Sequence, residues 1–421
     1  MNSSITSNYY LNRFQFSEQE IFTSPESNLN LVIVIPSFKE PLLIDSLESL
    51  LACEAPNKST EVIVMINCSE VLAETRGVSQ EAFEVAIDWA EINSQKNLQF
   101  HVIKNLYLPK KHAGVGLARK IGMDEAVRRL ELANNPQGVI VCFDADSKVD
   151  SNYLVEIEKH FDENPKTPAC SIHYEHPLDG VLNEGNYVGI VNYEMHLRYY
   201  IHALKYAGYI NAYQTIGSSM AVRSFVYQKQ GGMNRRKAGE DFYFLHKIIP
   251  LGGFSEITST KVFPSPRYSD RVPFGTGKAV GDFMKCANQI DYPSFSFNCF
   301  EDLKAFLLDV ESFYGGVSVN LEKYPLAISE YMCSLDFQSK MMEIRRQSST
   351  IETFVNRFYR WFDGLKVLQY VHFARDNFHA NTDIKEAVLA WNQKTGFLNI
   401  TDETTKKDIL LKQRIFDRGG S

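Results

Sequence analysis

Two aspartates one residue apart, Asp144 and Asp146, follow a run of five apolar residues from Val139 to Phe143. An unbroken Val/Ile run introduced by Gly138 suits a strand buried on both faces of a parallel sheet. Ligands of such open sheets bind beyond the carboxyl ends of the strands, and both acids stand there. Carboxylates at that edge can hold a hard divalent cation that in turn holds phosphate oxygens. The same residues also suit a plainer role, one Asp opening a turn and the next capping a helix over 152–161. A second stretch with chemical potential is KKHAGVGLARKIGMDEA, residues 110–126. Gly114 and Gly116 would let backbone approach a ligand, and Arg119 lies one helical turn further in. With Lys110 and Lys111 they make a compact basic patch suited to phosphate at a helix N-terminus, or a solvated charge run before an ordinary helix.

The elements that must position these groups follow from apolar spacing. Leu31–Ile35 reads as a buried strand stopped by Pro36, and Pro41 opens a helix with a stripe at Leu43, Leu47, Leu50 and Leu51. Strands are expected near 61–66 and 98–103, with helices over 79–92 and 115–130. Strand and helix thus alternate four times before Asp144, which implies a parallel sheet covered on both faces. Each strand ends on polar groups at one edge, Ser37 and Glu40 after the first and Asn67 and Ser69 after the second. They could bond a ribose or base, or simply cap helices. A short strand is expected at 169–173. It leads into His173, Glu175 and His176, whose spacing is weak for a metal and better suits the lining of a pocket. An aromatic-rich helix follows over 185–210. From about Tyr292 the pattern becomes amphipathic helices, over 300–314, 326–344, 351–373 and 384–395.

Composition narrows the function class. The chain of 421 residues has a net charge of -7 and a pI near 5.9, which argues against nucleic acid as a partner. Seven cysteines are scattered with no CxxC pair, so a reduced, cytoplasmic setting is expected. No secretion signal or membrane span is read from the sequence; peripheral contact with the inner face of a membrane is left open. The expected division is a polar, loosely held lead-in at 1–28, an α/β domain at 29–285 and a helical subdomain at 286–421, its last twenty residues fraying.

The order IPSFKEP, a strand ending near Asn67, H-x-G-x-x-x-A-R-K-x-G and D-A-D resembles family 2 glycosyltransferases. Those are nucleotide-sugar enzymes of the GT-A fold, a Rossmann-like mixed sheet flanked by helices. His112, Gly114, Ala118, Arg119, Lys120 and Gly122 fall at the family's intervals, with His112 and Lys120 replacing its usual asparagines and Asn67 its usual Asp. The segment TIGSSMAVR with Gly231-Gly232 and the pair Glu240-Asp241 extends the likeness. The resemblance implies a nucleotide-sugar site at Pro36, Ser37, Glu40, Asn67, Gly114, Arg119, Asp144, Ala145, Gly217, Ser218, Ser219 and Arg271. It implies Mn2+ or Mg2+ on Asp144 and Asp146, with Asp270 a further candidate because the family's late His is missing here. Arg267, Arg271 and Lys278 are candidate partners of the departing diphosphate. An attacking hydroxyl must lose its proton, so an acid must face the donor. Asp241 is the expected base and Glu240 its positioning neighbour, unless both merely favour a helix N-terminus. The function implied is metal-dependent sugar transfer from a UDP- or GDP-linked donor, with inversion, to a glycan, lipid-linked or small-molecule acceptor in polysaccharide assembly. A retaining transferase, or a silent nucleotide-sugar- or glycan-binding protein, is the alternative.

Overall fold

The run LNLVIVIPS forms β1 (Leu29–Ser37), buried along its whole length because it lies between two parallel neighbours. These are β2 (Ser59–Ser69) and β4 (Val139–Cys142), and β3 (Leu98–Leu108) extends the parallel row beyond β2. The computed structural model describes residues 8–269, 275–285, 291–315 and 318–420. Past β4 the sheet turns mixed. There β7 (Met220–Arg223) runs antiparallel to β4 and to β6 (Ala169–Tyr174). The strand β8 (Ser255–Phe263) is parallel to β6, and β5 (Lys148–Val149) runs antiparallel to β8. The order is β3-β2-β1-β4-β7-β6-β8-β5. This is the expected mixed sheet; β5, β7 and β8 were not read from the sequence.

Helices α2 (Leu43–Leu51), α3 (Ala73–Asn93), α4 (Val115–Leu132) and α5 (Tyr153–Glu163) accompany the strands, and α7 (Ser224–Lys229) and α8 (Glu240–Ile248) follow β7. In α4, residues 116–130 are all buried although many are charged. Buried charges must be paired and hydrogen-bonded, and the lead-in helps to do this. It is not loosely held from Asn8 onward. It forms α1 (Tyr9–Phe14), and the Tyr10 hydroxyl donates to Asp124 at 2.7 Å. The Glu20 and Ile21 amides donate to Glu125, and Arg128 reaches Gln15 and the Ser17 carbonyl. On the sheet side Arg129 pairs with Glu61 at 2.6 Å.

The chain divides into two compact units. One contains the described residues up to Pro177 and Thr215–Ser265; the other contains Leu178–Gln214 and the described residues from Thr276 onward. The units are therefore discontinuous in sequence, whereas the expected division at 285/286 is contiguous. The second unit comprises α6 (Glu184–Tyr206), α9 (Thr276–Lys285), α10 (Asn298–Leu307), α11 (Leu326–Ser334), α12 (Phe337–Arg346), α13 (Ile351–Trp361), α14 (Gly364–Asn377), α15 (Ile384–Thr395) and α16 (Lys406–Asp417). Two expected long helices are each broken in two, at Asp336 with φ of 49° and at Asp363, whose side chain caps α14. The chain end does not fray: in α16, Arg414 bonds buried Glu194 of α6 at 2.7 Å and Asp417 bonds His202 at 2.5 Å. Among the described residues no helix is long and apolar enough to cross a membrane.

Candidate active site

The register of the parallel strands sets the site edge. Val34 of β1 lies opposite Cys142 of β4, and Pro36 lies opposite Met65 of β2. Pro36, Ser37, Asn67 and Asp144 therefore all stand where three adjacent strands end. Beyond β4 the chain turns at once, the Ser147 amide donating to the Asp144 carbonyl at 3.1 Å. Ala145 is pinned through its carbonyl by the Ser46 hydroxyl at 2.9 Å, and the Val149 amide donates to Ser49 at 2.8 Å. Ser46 and Ser49 are supports that sequence reasoning missed. Their signal was two small polar residues set beside the apolar stripe of α2.

Arg119 joins the two halves of the candidate site. Its side chain is 1% exposed; one terminal nitrogen donates to Asp144 at 2.5 Å and the other to Glu240. The guanidinium thus ties the turn after β4 to the start of α8, two segments about a hundred residues apart. Its Nε has no hydrogen-bond partner among the described residues. Gly217 seals the arrangement: β7 runs against β4, with Met220 opposite Cys142, so the residues just before β7 lie beside Asp144. A Cβ on Gly217 would lie 2.8 Å from Arg119 Nη1 and 2.9 Å from Asp241 Oδ2. Any side chain here would push one of the two groups aside. Ser218 and Ser219 behind it are buried, and the Ser219 carbonyl accepts from Ile172 at 2.8 Å.

Glu240 and Asp241 open α8 after Gly239, which adopts the left-handed conformation with φ of 68°. Their placement satisfies the helix dipole as well as the site. Glu240 is 3% exposed and Asp241 is the more open of the two. Burial pushes the Glu240 carboxyl up to about 7, with Arg119 pulling it down and Asp241 adding to the rise. Asp241 is also raised, chiefly by burial, against the pull of Arg119 and the Phe242 amide. A carboxyl raised in this way is a better proton acceptor than a free one.

Other expected residues have different partners. Gly114 and Gly116 do admit a close approach, but of the chain itself. A Cβ at 114 would lie 2.9 Å from the Lys237 Cα, and one at 116 would meet the Arg236 carbonyl and, at 3.0 Å, the Glu240 Cβ. Glu40 is buried, and its carboxylate accepts from the Leu42 amide at 3.0 Å, the local capping role. Lys120 pairs with Asp124 at 3.0 Å. Arg223 donates to four carbonyls, those of Gln137, Phe161, Asn164 and Thr167, and so binds loops together. His173 pairs with Glu175 at 3.1 Å. Lys278 pairs with Asp282 one turn along α9. Asp270 and Arg271 lie outside the described residues.

Asp144 and Asp146 offer hard oxygens and both keep partial exposure. Among the described residues no three ligand-type side chains gather for a metal. Two carboxylates are nonetheless a fitting donor set for a hard cation that takes its remaining ligands from water and phosphate.

A mixed sheet with a carboxylate turn at the end of its central strand, and a second acid pair held across a buried arginine, agrees with the fold that the sequence resemblance implies. Residues 32–230, just under half of the chain, match the model of glycosyl transferase family 2, and the chain is a glycosyltransferase. That match includes Arg119, Asp144 and Gly217 and ends ten residues before Glu240. Solved structures similar to this chain include S. aureus TarS 1-349 in complex with UDP-GlcNAc, at 13% identity over 90% of this chain and 95% of that one, TM-score 0.41. Another is the mannosyltransferase PcManGT from Pyrobaculum calidifontis in complex with GDP-Man and Mn2+, at 14% identity over 97% and 91%, TM-score 0.34. No curated protein matches the chain.

Proposed function

We propose that the protein transfers a sugar from a UDP- or GDP-linked donor to an acceptor hydroxyl by one displacement with inversion. The observation that carries this reading is the Arg119 bridge with Gly217 beside it. Arg119 pairs with Asp144 in the turn after β4 and with Glu240 at the start of α8, and the bare Cα of Gly217 lets Asp241 lie close to the same guanidinium. Asp144 and Asp146 would hold Mn2+ or Mg2+, which when bound neutralises the diphosphate. Pro36, Ser37 and Asn67 face the nucleoside from the ends of β1 and β2. Asp241 takes the hydroxyl proton as the acceptor oxygen bonds to the anomeric carbon and the bond to the diphosphate oxygen breaks. Glu240, fixed by Arg119, positions the start of α8 rather than touching the reacting atoms.

In the test, UDP-GlcNAc and GDP-mannose are screened by thermal shift with and without Mn2+, and the donor that binds is used for turnover. Asp241→Asn should lower kcat by at least a thousandfold with donor affinity within about threefold; retained turnover would refute the base. Asp146→Ala should remove the metal dependence of donor binding, and unchanged dependence would refute the cation site. A product with retained anomeric configuration by NMR would refute the single displacement.

A further inference from the structure

The loop before the acid pair and the turn before α4 share one surface. Gly114 and Gly116 bring the backbone of Arg236 and Lys237 against the first turn of α4, directly after Lys110 and Lys111. Lys110, Lys111, Arg235, Arg236 and Lys237 are all exposed, and among the described residues none of the five makes an ion pair. Glu70 reaches this surface, but its carboxylate accepts from the Lys110 backbone amide at 2.8 Å. Arg235 and Arg236 lie over the rings of Phe16 and Tyr243, at 5.2 and 3.6 Å. Stacking holds a guanidinium in place while leaving its N–H edge free to donate. A chain with a net charge of -7 therefore sets five cations without an ion-pair partner among the described residues on two segments whose backbones touch, against the one carboxylate of Glu70, and the second segment leads within four residues to Asp241.

A nucleotide-sugar does not account for them. It brings one diphosphate, and the reading above already assigns that group a divalent cation. We infer that the five cations form an acceptor-side surface for a polyanion, a chain carrying repeated phosphate or carboxylate groups whose hydroxyl is delivered to Asp241. The inference rests on the transferase reading for the word acceptor, and on the cation cluster alone for the polyanion. Such a surface also gathers its ligand from a distance, an effect that salt suppresses.

The probe is fluorescently labelled inorganic polyphosphate, with poly-L-glutamate as a second arm, titrated into the full chain at two or more salt concentrations. R235Q/R236Q/K237Q should weaken polyphosphate binding at least tenfold. It should also flatten the salt dependence, by a slope of about two for three lost contacts. K110Q/K111Q, on the other stretch, should weaken binding independently. K96Q/K159Q/K166Q removes three exposed charges elsewhere and should stay within twofold. Equal losses in the site and control variants would overturn the inference, since bulk charge would then explain them. Displacement of bound UDP-GlcNAc or GDP-mannose by polyphosphate would overturn it too, by giving the surface to the donor. Binding to phosphatidylglycerol vesicles but to neither polyanion would overturn it in favour of a membrane. A protein that binds polyphosphate yet neither nucleotide-sugar would refute the transfer reading and leave the polyanion surface standing.

Discussion

Replacing Arg119 by methionine keeps most of the side-chain volume and removes the charge, and the structure fixes how the loss should divide. The Asp144 side chain is 39% exposed, so water takes over that arm and its loss costs about 1 kcal/mol or less. The Glu240 side chain is 4% exposed, and a buried carboxylate stripped of its partner costs about 3–5 kcal/mol. Glu240 has one escape, which is to take up a proton. Its carboxyl is already raised to about 7, chiefly by burial, with Arg119 opposing the rise; without Arg119 it moves higher. The sign follows from the raised value. The folded state holds a proton that the unfolded chain releases near 4.5, so this contribution is complete below about 4.5 and is lost as pH rises through about 7. In Arg119→Met the upper limit moves upward, and the gap between wild type and variant widens from pH 5.5 to pH 8. A domain of 150–250 residues loses roughly 2–4 °C per kcal/mol. The melting temperature in EDTA should therefore fall by about 6–20 °C at pH 8 and by less than half as much at pH 5.5. Equal drops at the two pH values would mean that packing, not charge, was lost. No drop at pH 8 would mean that the bridge does not hold the acids.

Gly217→Ala places a methyl within 2.9 Å of both Arg119 and Asp241. A shift of the carboxylate by about 1 Å is expected to cost on the order of a hundredfold in kcat, with the donor KM within threefold; full activity would detach Gly217 from the site. Tyr10→Phe removes the hydroxyl that donates to Asp124 and accepts from Lys120 at 3.0 Å. Urea unfolding should show about 1–3 kcal/mol lost, and no change would mean that the lead-in is not what completes α4. Asp417 is held well below the usual carboxylate range because His202 and Arg198 outweigh the opposing effect of burial. A depressed acid stabilises above its unfolded pKa and loses that stability as pH falls through the folded value. Asp417→Asn should thus cost about 3–5 kcal/mol at pH 7, with the difference shrinking below about pH 4; a pH-independent loss would count against the charge network.

The parallel half of the sheet was legible because strands buried on both faces are written as unbroken apolar runs, as in Leu31–Ile35 and Val139–Phe143. The mixed half was not. In β8 the sequence SEITSTKVF is only partly buried and alternates irregularly, while β7 spans four residues, too few for a period to show. The positions of Asp144, Arg119, Gly217 and Asp241 could be marked from spacing. Their mutual contacts could not, because Arg119 meets acids 25 and 121 residues away. The glycines of the α4 entry show the same limit. A missing Cβ announces that something comes close, and spacing does not say whether it is a ligand or, as here, the loop of Arg236 and Lys237.

The charges along α4 explain why one helix serves both the scaffold and the chemistry. An apolar stripe holds a helix by contacts that tolerate small slips along its axis. Here successive faces are committed to different segments: Gly116 to the 236–240 loop, Arg119 to Asp144 and Glu240, Lys120 to Tyr10, Glu125 and Arg128 to the lead-in, Arg129 to Glu61. A rotation by one residue would leave several buried charges unpaired at once, each at a cost of several kcal/mol. The helix therefore has one register, and in that register Arg119 stands between the two groups of acids. Burying a guanidinium at a site that must handle phosphate looks wasteful if its task is to touch the ligand. It is well placed if its task is to fix the separation of two carboxylate pairs while five other cations remain at the surface to meet what arrives from solution.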